Sequence, residues 1–396
     1  MNIFDFTKDK DSDTQYDYKI LVYPNITYMQ DLEKDSYVVV LRNVIKELNK
    51  IRNDIHFTIL SPTEIQSLVF ENTTQIPINL PSYPNAMRTH FNFTELKNIL
   101  KWKTTDYDVL YSHLPEHTDQ LVNLFSNNTN ITPKVVGYCH WYEVPENTAY
   151  NKTMLMANFA GMLEMEECGV NSEWLKSLVL EKASDIYQDT YVDKLKDIIQ
   201  PHYLGIDKVD MKSKPKGKSI VFNHRDNEYT GFRWFVKQMD KLYEKRQDFT
   251  VYTTLTDMNK PYSKRMKIHS RDDYLKFLKT MRVGVGCFDK YSAWSIATTD
   301  SLSMGVPYVL PNKLCYPEMV GEDYELLYDD AKDFLDKIEM MLDDKIEVDL
   351  SKKIKSFTWK KRVAEWFDKW KCFDEFDCVQ ETESYQKIKQ FIIDNN

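Results

Sequence analysis

Ser292-Ala-Trp-Ser-Ile-Ala-Thr-Thr-Asp-Ser-Leu-Ser-Met-Gly-Val-Pro-Tyr-Val-Leu-Pro311 lies just after the short apolar run Val283-Gly-Val-Gly-Cys287. Together they read as strand, loop, short helix and strand. Asp300 lies within the helix, and a small-residue turn with Gly305 and Pro307 ends it. The first turn of a helix presents free N–H groups and partial positive charge, which suits a bound anion such as a diphosphate. The same residues would also serve as a purely structural strand–helix–strand unit.

Outward from this stretch, more strands alternate with helices. In the second half the strands are Ser219–Phe222, Phe249–Thr253, Arg282–Gly286 and Tyr308–Leu310, and a helix starts at Ser270 with Asp273 as a near-equivalent of a capping box. In the first half Tyr18–Tyr23, Ile55–Leu60, Tyr107–Tyr111 and Lys134–Cys139 read as strands. Between the first two, Val38, Leu41, Val44, Ile45 and Leu48 recur at helical spacing, with Asp31 or Asp35 as cap. Such alternation predicts parallel strands joined by right-handed crossovers, in two doubly wound α/β units. Pro201–Asp207 reads as the linker. The expected division is residues 1–207, residues 208–350, and C-terminal helices over 351–396 that fold back in part on the first unit. Within the last, Ser351–Lys371 reads as one basic, aromatic helix with Trp359, Val363, Trp366 and Trp370 on a core-packing stripe.

Composition supports a two-domain chain: 396 residues, 42% hydrophobic, with 10 Gly and 14 Pro. The polar, acidic N-terminus has no apolar stretch of a signal peptide, and no run reaches membrane-spanning length. Six scattered cysteines without a Cys-x-x-Cys read as reduced thiols, consistent with a cytoplasmic protein. Charge is uneven: residues 1–207 carry 18 Lys+Arg against 29 Asp+Glu, net −11, and residues 208–396 carry 34 against 32, net +2. A polyanionic partner would be met by the second half, where Asn259–Arg271 is a basic stretch.

The opening stretch resembles the donor-sugar segment of GT-B glycosyltransferases. In these, two Rossmann-like doubly wound domains face each other across a cleft, and a nucleotide sugar lies over the N-terminus of such a helix. The resemblance covers most of residues 18–371. It implies that Ser295, Ile296 and Asp300 belong to the donor site, with Asp300 on the ribose. Asn223-His224-Arg225 follows the strand Ser219–Phe222 and is similar to a triplet of the queuosine-tRNA glycosyltransferase group. In retaining GT-B enzymes an Arg at this place, with a Lys five residues later, grips the donor diphosphate. A guanidinium forks onto phosphate oxygens and offsets the leaving-group charge. Here Thr230 occupies the Lys position, with Arg233 and Lys237 next along the same helix. The acid pair of retaining members, Glu-x7-Glu, is incomplete: Asp300 matches the second acid and Ser292 stands at the first.

On the acceptor side, Val136-Gly-Tyr-Cys-His140 resembles the strand-plus-His segment of the phage DNA α-glucosyltransferase, with Trp141 where that enzyme has Asp. The resemblance implies that His140 holds the sugar or lies near the reacting centre, and Glu143 is the nearest carboxylate for a general base. A core-edge histidine is the plain alternative. His113, Glu116 and Tyr142 are candidates to line the acceptor side. The order His113-x-x-Glu116-His117 is similar to a zinc motif, but Pro115 opposes the helix interior it needs, and no metal site is expected. No cofactor is required by these motifs, because cationic side chains can do the phosphate work, and a UDP-sugar is the implied co-substrate. Both likenesses act on nucleic acid, which makes a hydroxymethylated base in phage DNA the expected acceptor and retention the expected outcome. The alternatives are a saccharide or protein acceptor, or a GT-B-like binding protein without catalysis.

Overall fold

The computed structural model describes residues 16, 18–26, 32, 35–65, 68, 70–83, 86–100, 107–126, 133–139, 141–147 and 151–369. Seven strands of its first half are β1 (Tyr18–Tyr23), β2 (Ile55–Pro62), β3 (Thr73–Ile78), β4 (Val109–Ser112), β5 (Lys134–Tyr138), β6 (Glu167–Val170) and β7 (Ile199–Pro201). They form one sheet in the order β3-β2-β1-β4-β5-β6-β7, parallel throughout. Six strands of the second half are β8 (Ser219–Phe222), β9 (Thr250–Thr253), β10 (Ser263–Arg265), β11 (Val283–Val285), β12 (Tyr308–Pro311) and β13 (Leu327–Tyr328). Their order is β10-β9-β8-β11-β12-β13, again parallel. In each sheet the order reverses once, between β1 and β4 and between β8 and β11. A crevice opens there at the carboxyl ends of the strands, where ligands of doubly wound folds bind.

The strands form where the sequence is apolar enough to be buried on both faces. Ile20, Leu21, Val22 and Tyr23 of β1 are fully buried, as are all residues of β8 and β11. The helix Ser36–Ile51 begins at Asp35, whose carboxylate accepts from the N–H groups of Tyr37 and Val38. Ser270 caps Arg271–Leu278 through the N–H of Asp273 and donates its hydroxyl to the Asp273 carboxylate, a shortened capping box.

Two expectations are corrected. The single C-terminal helix is two, Ser351–Lys355 and Trp359–Lys369. The break lies where Thr358 pairs as a parallel bridge with Ile206 of the linker, which takes the backbone out of helical geometry. Arg362 then reaches back with Nε and Nη2 to the carbonyl of Ser356. Trp370 and Lys371 lie outside the described residues. The second correction is at Ser263–Arg265, inside the stretch read only as basic surface, which pairs with β9 as the edge strand β10. β3, β6, β7 and β13 carry no pattern that marked them in advance; β3 reads Thr-Thr-Gln-Ile-Pro-Ile and tolerates Pro77 because it is an edge.

Trp359, Val363, Trp366 and Phe367 of the last helix are buried in the core of the first sheet, with Trp366 stacked on Tyr138 and His202. The four described cysteines, Cys139, Cys168, Cys287 and Cys315, are free and buried. Among the described residues no helix is long and apolar enough to cross a membrane.

Candidate active site

Both crevices are lined by polar residues that directly follow the central strands. In the second sheet, β8 runs straight into Asn223-His224-Arg225. Asn223 is buried and its amide Nδ2 donates to Tyr274 Oη at 2.6 Å, to the Ala297 carbonyl at 3.1 Å and to Ser301 Oγ at 3.4 Å. Its Oδ1 accepts from the Tyr308 hydroxyl. Asn223 therefore ties the end of β8 to the helix Ile296–Ser303, with its side-chain atoms committed to that task. Ser295 caps this helix, its hydroxyl accepting from Thr298 N–H. The N–H groups of Ile296 and Ala297 follow as first-turn donors.

His224 is buried among Phe222, Phe288 and Tyr308. Burial pushes its pKa down to about 4, against a smaller upward pull from a backbone hydrogen bond at Val285, so its ring is neutral at neutral pH. Its Nε2 has no partner among the described residues. Arg225 is exposed, and neither it nor Arg233, exposed in the first turn of the helix Phe232–Lys245, has an ion-pair partner among the described residues. Thr230 does not point a charge anywhere. Its hydroxyl donates to the carbonyls of Arg225 (2.8 Å) and Asn227 (2.7 Å), closing the loop that carries Arg225. Gly231 follows with φ +69°, and a Cβ there would sit 1.9 Å from the Cys287 carbonyl oxygen. The loop after β8 is thereby pressed against the loop after β11.

Asp300 is 3% exposed and bound by Arg271, with both oxygens 2.6 Å from the guanidinium nitrogens. Arg271 also reaches Asp207 of the linker at 3.1 Å. Burial raises the Asp300 pKa and Arg271 opposes that rise. Ser292, at the place of the first acid, donates to Tyr316 Oη at 3.2 Å in a buried setting.

In the first sheet the acceptor-side candidates take different partners. Glu116 lies in the first turn of the helix Pro115–Ser126, where Pro115 takes the first position that proline favours. Its Oε1 accepts from Arg88 Nε at 2.8 Å and its Oε2 from Asn158 Nδ2 at 2.8 Å. Glu143 Oε1 accepts from Arg88 Nη1 at 2.8 Å. Burial opposes the Arg88 charge, but Glu116, Tyr37 and Glu143 outweigh it and hold the guanidinium pKa above its ordinary value. No periodicity or motif pointed to Arg88. His113 follows β4 directly and is enclosed by Tyr37, Tyr111 and Tyr138. His117 bonds Tyr23 Oη through Nδ1 at 3.2 Å, and burial lowers its pKa to about 4. Tyr142 is a core residue, fully buried with its hydroxyl against Met162 Sδ at 3.2 Å. His140 lies outside the described residues. Among the described residues no three His, Cys, Asp or Glu side chains are grouped as metal ligands would be.

Among the contacts between the two halves are rings and a carboxylate. Tyr291, from the loop after β11, stands edge-on to Trp141 and Trp174 of the first half. Glu318 accepts from the N–H groups of Glu173 (2.7 Å) and Trp174 (3.3 Å) at a helix N-terminus, and from Tyr203 Oη at 2.5 Å.

No protein-family model matches the chain, and no curated protein matches it. Solved structures do. Anabaena HepE in complex with UDP and glucose superposes with a TM-score of 0.65 at 9% identity, covering 89% of this chain and 98% of its own. A glycosyltransferase from Rickettsia africae gives 0.60 at 16% identity over 89% and 98%. The trehalose 6-phosphate synthase of Burkholderia multivorans gives 0.61 at 8% identity over 93% and 99%. The two parallel α/β sheets are those of the GT-B fold.

Proposed function

We propose that the chain is a glycosyltransferase that moves a sugar from a nucleoside-diphosphate sugar, a UDP-sugar, to a hydroxyl acceptor. The observation that carries this reading is the second crevice. There Asn223 pins the end of β8 to the capped helix Ile296–Ser303, and the next residues present an exposed Arg225 without an ion-pair partner among the described residues. Two positive features, the helix N-terminus and the guanidinium, suit a diphosphate and the charge it gains on leaving. HepE was solved with UDP and UDP-glucose, which supports uridine as the base.

In this reading Arg225 and Arg233 offset the diphosphate charge, so no side chain at the Thr230 position is needed for it. Asp300 serves the ribose while paired with Arg271, because each carboxylate oxygen keeps a second lone pair. His140 holds the sugar. Attack beside the leaving phosphate gives retention; Glu143 acting as base on the acceptor would give inversion. The hydroxymethylated base in DNA remains one acceptor, on the likeness of the His140 and Asn223–Arg225 segments. A saccharide is the second, favoured by the net −11 of residues 1–207, which repels a polyanion.

The test is a thermal-shift and donor-turnover screen with UDP-, GDP- and ADP-sugars, alone and with hydroxymethylcytosine DNA or saccharides. A ligand that binds the native state raises Tm by mass action. A shift with UDP-sugar and UDP release on adding one acceptor class supports the reading and chooses the acceptor. A shift without turnover leaves a binding protein, and no shift with any nucleotide sugar sinks the proposal.

A further inference from the structure

Arg88 sits between two carboxylates with its third nitrogen idle. Nε is bound to Glu116 and Nη1 to Glu143, while Nη2 is buried without a partner among the described residues. Glu143 is 5% exposed, and its Oε2 is likewise buried and unpartnered. A buried charged donor or acceptor left unmade costs on the order of 1–3 kcal/mol, and here one of each belongs to the same ion pair. Asn25, 2% exposed, is hydrogen-bonded to Tyr37, and its Oδ1 has no partner among the described residues. These residues share an address: Asn25 follows β1, Glu116 follows β4 and Glu143 follows β5, at the crevice of the first sheet. Across the halves, the buried Tyr291 stands edge-on to Trp141, two positions before Glu143, and feels the charges of Glu143 and Arg88.

Resting on the transferase reading above, we infer that Arg88 and Glu143, with Asn25, form a subsite for a neutral polyhydroxylated acceptor, a saccharide held by its hydroxyls. A hydroxyl both accepts and donates, so it can take Arg88 Nη2 and give its proton to Glu143 Oε2 at once. An anion is the wrong occupant. One guanidinium already faces two carboxylates, and a phosphate would add negative charge where burial strengthens repulsion. Asn158 fixes Glu116, which fixes Arg88, so the fork is oriented before any ligand arrives.

The experiment uses the full chain and the variants Glu143→Gln and Arg88→Lys. UDP probes the donor site; maltose and methyl α-glucoside probe the subsite; glucose 6-phosphate is the charged control. The readouts are Tm, and KM against kcat for UDP release from UDP-glucose. Neutral glycosides are expected to raise Tm in the wild type, and the variants to weaken that response roughly 10- to 100-fold, the size of a lost charge-assisted bond. Both variants should keep the UDP shift, which certifies their fold, and the loss should fall on acceptor KM. Three results overturn the inference: no glycoside response in the wild type, leaving water as the occupant; an undiminished response in Glu143→Gln; or preference for glucose 6-phosphate. A glycoside response lost in variants that melt at the wild-type Tm, without any UDP shift in the wild type, would uphold the subsite and sink the transferase reading.

Discussion

At the scale of single residues, His117 and His224 are kept neutral by burial, each with a pKa of about 4 against the ordinary 6.5. The folded pKa is depressed, so between these values the unfolded chain binds more protons and stability falls as pH drops from 6.5 towards 4. The loss saturates below about pH 4, at roughly 3 kcal/mol per histidine. Urea unfolding across that window should show the slope, and His224→Phe should remove its share; an unchanged slope would show that His224 is protonated without cost. On the proposed donor reading, Arg225→Ala should lower donor turnover about 100-fold or more, while unfolding at the wild-type urea concentration because the side chain is exposed. The sequence placed Arg225 and Asp300 in their elements but could not show that Asp300 is shared with Arg271. An ion pair between residues 29 apart leaves no mark in local pattern.

At the scale of elements, the loop from β8 to the helix Phe232–Lys245 is held by two local devices. Thr230 ties off the Arg225 carbonyl, and Gly231 adopts a left-handed φ in close contact with Cys287. Gly231→Ala is expected to cost at least ~2 kcal/mol, combining left-handed backbone strain with displacement of the β11 loop. Chemical denaturation measures this, and a variant as stable as the wild type would mean the two loops can separate freely. Helices with caps and strands with continuous apolar runs were legible, as Asp35 and Ser270 show. The break at Thr358 was not, because it comes from a pairing with Ile206, 152 positions earlier in the chain.

At the scale of the whole molecule, Glu318 joins the second half to a helix N-terminus and to Tyr203 of the first. Glu318→Ala should loosen this clasp, lowering stability by ~1–2 kcal/mol and raising the radius of gyration in solution scattering. Identical scattering and stability would show that the remaining contacts, those of Tyr291 and of the last helix among them, hold the halves without Glu318. The sequence by itself determined that there are two parallel α/β units, where their central strands end, and which polar residues follow those ends. These properties are set by apolar runs, caps and turn residues within a few positions of one another. Only the tertiary structure decided that Asn223 braces the helix Ile296–Ser303, that Tyr142 is core, and that Arg88 joins Glu116 to Glu143. Such partnerships depend on which segments the sheet order brings together, and parallel crossovers place residues tens of positions apart side by side.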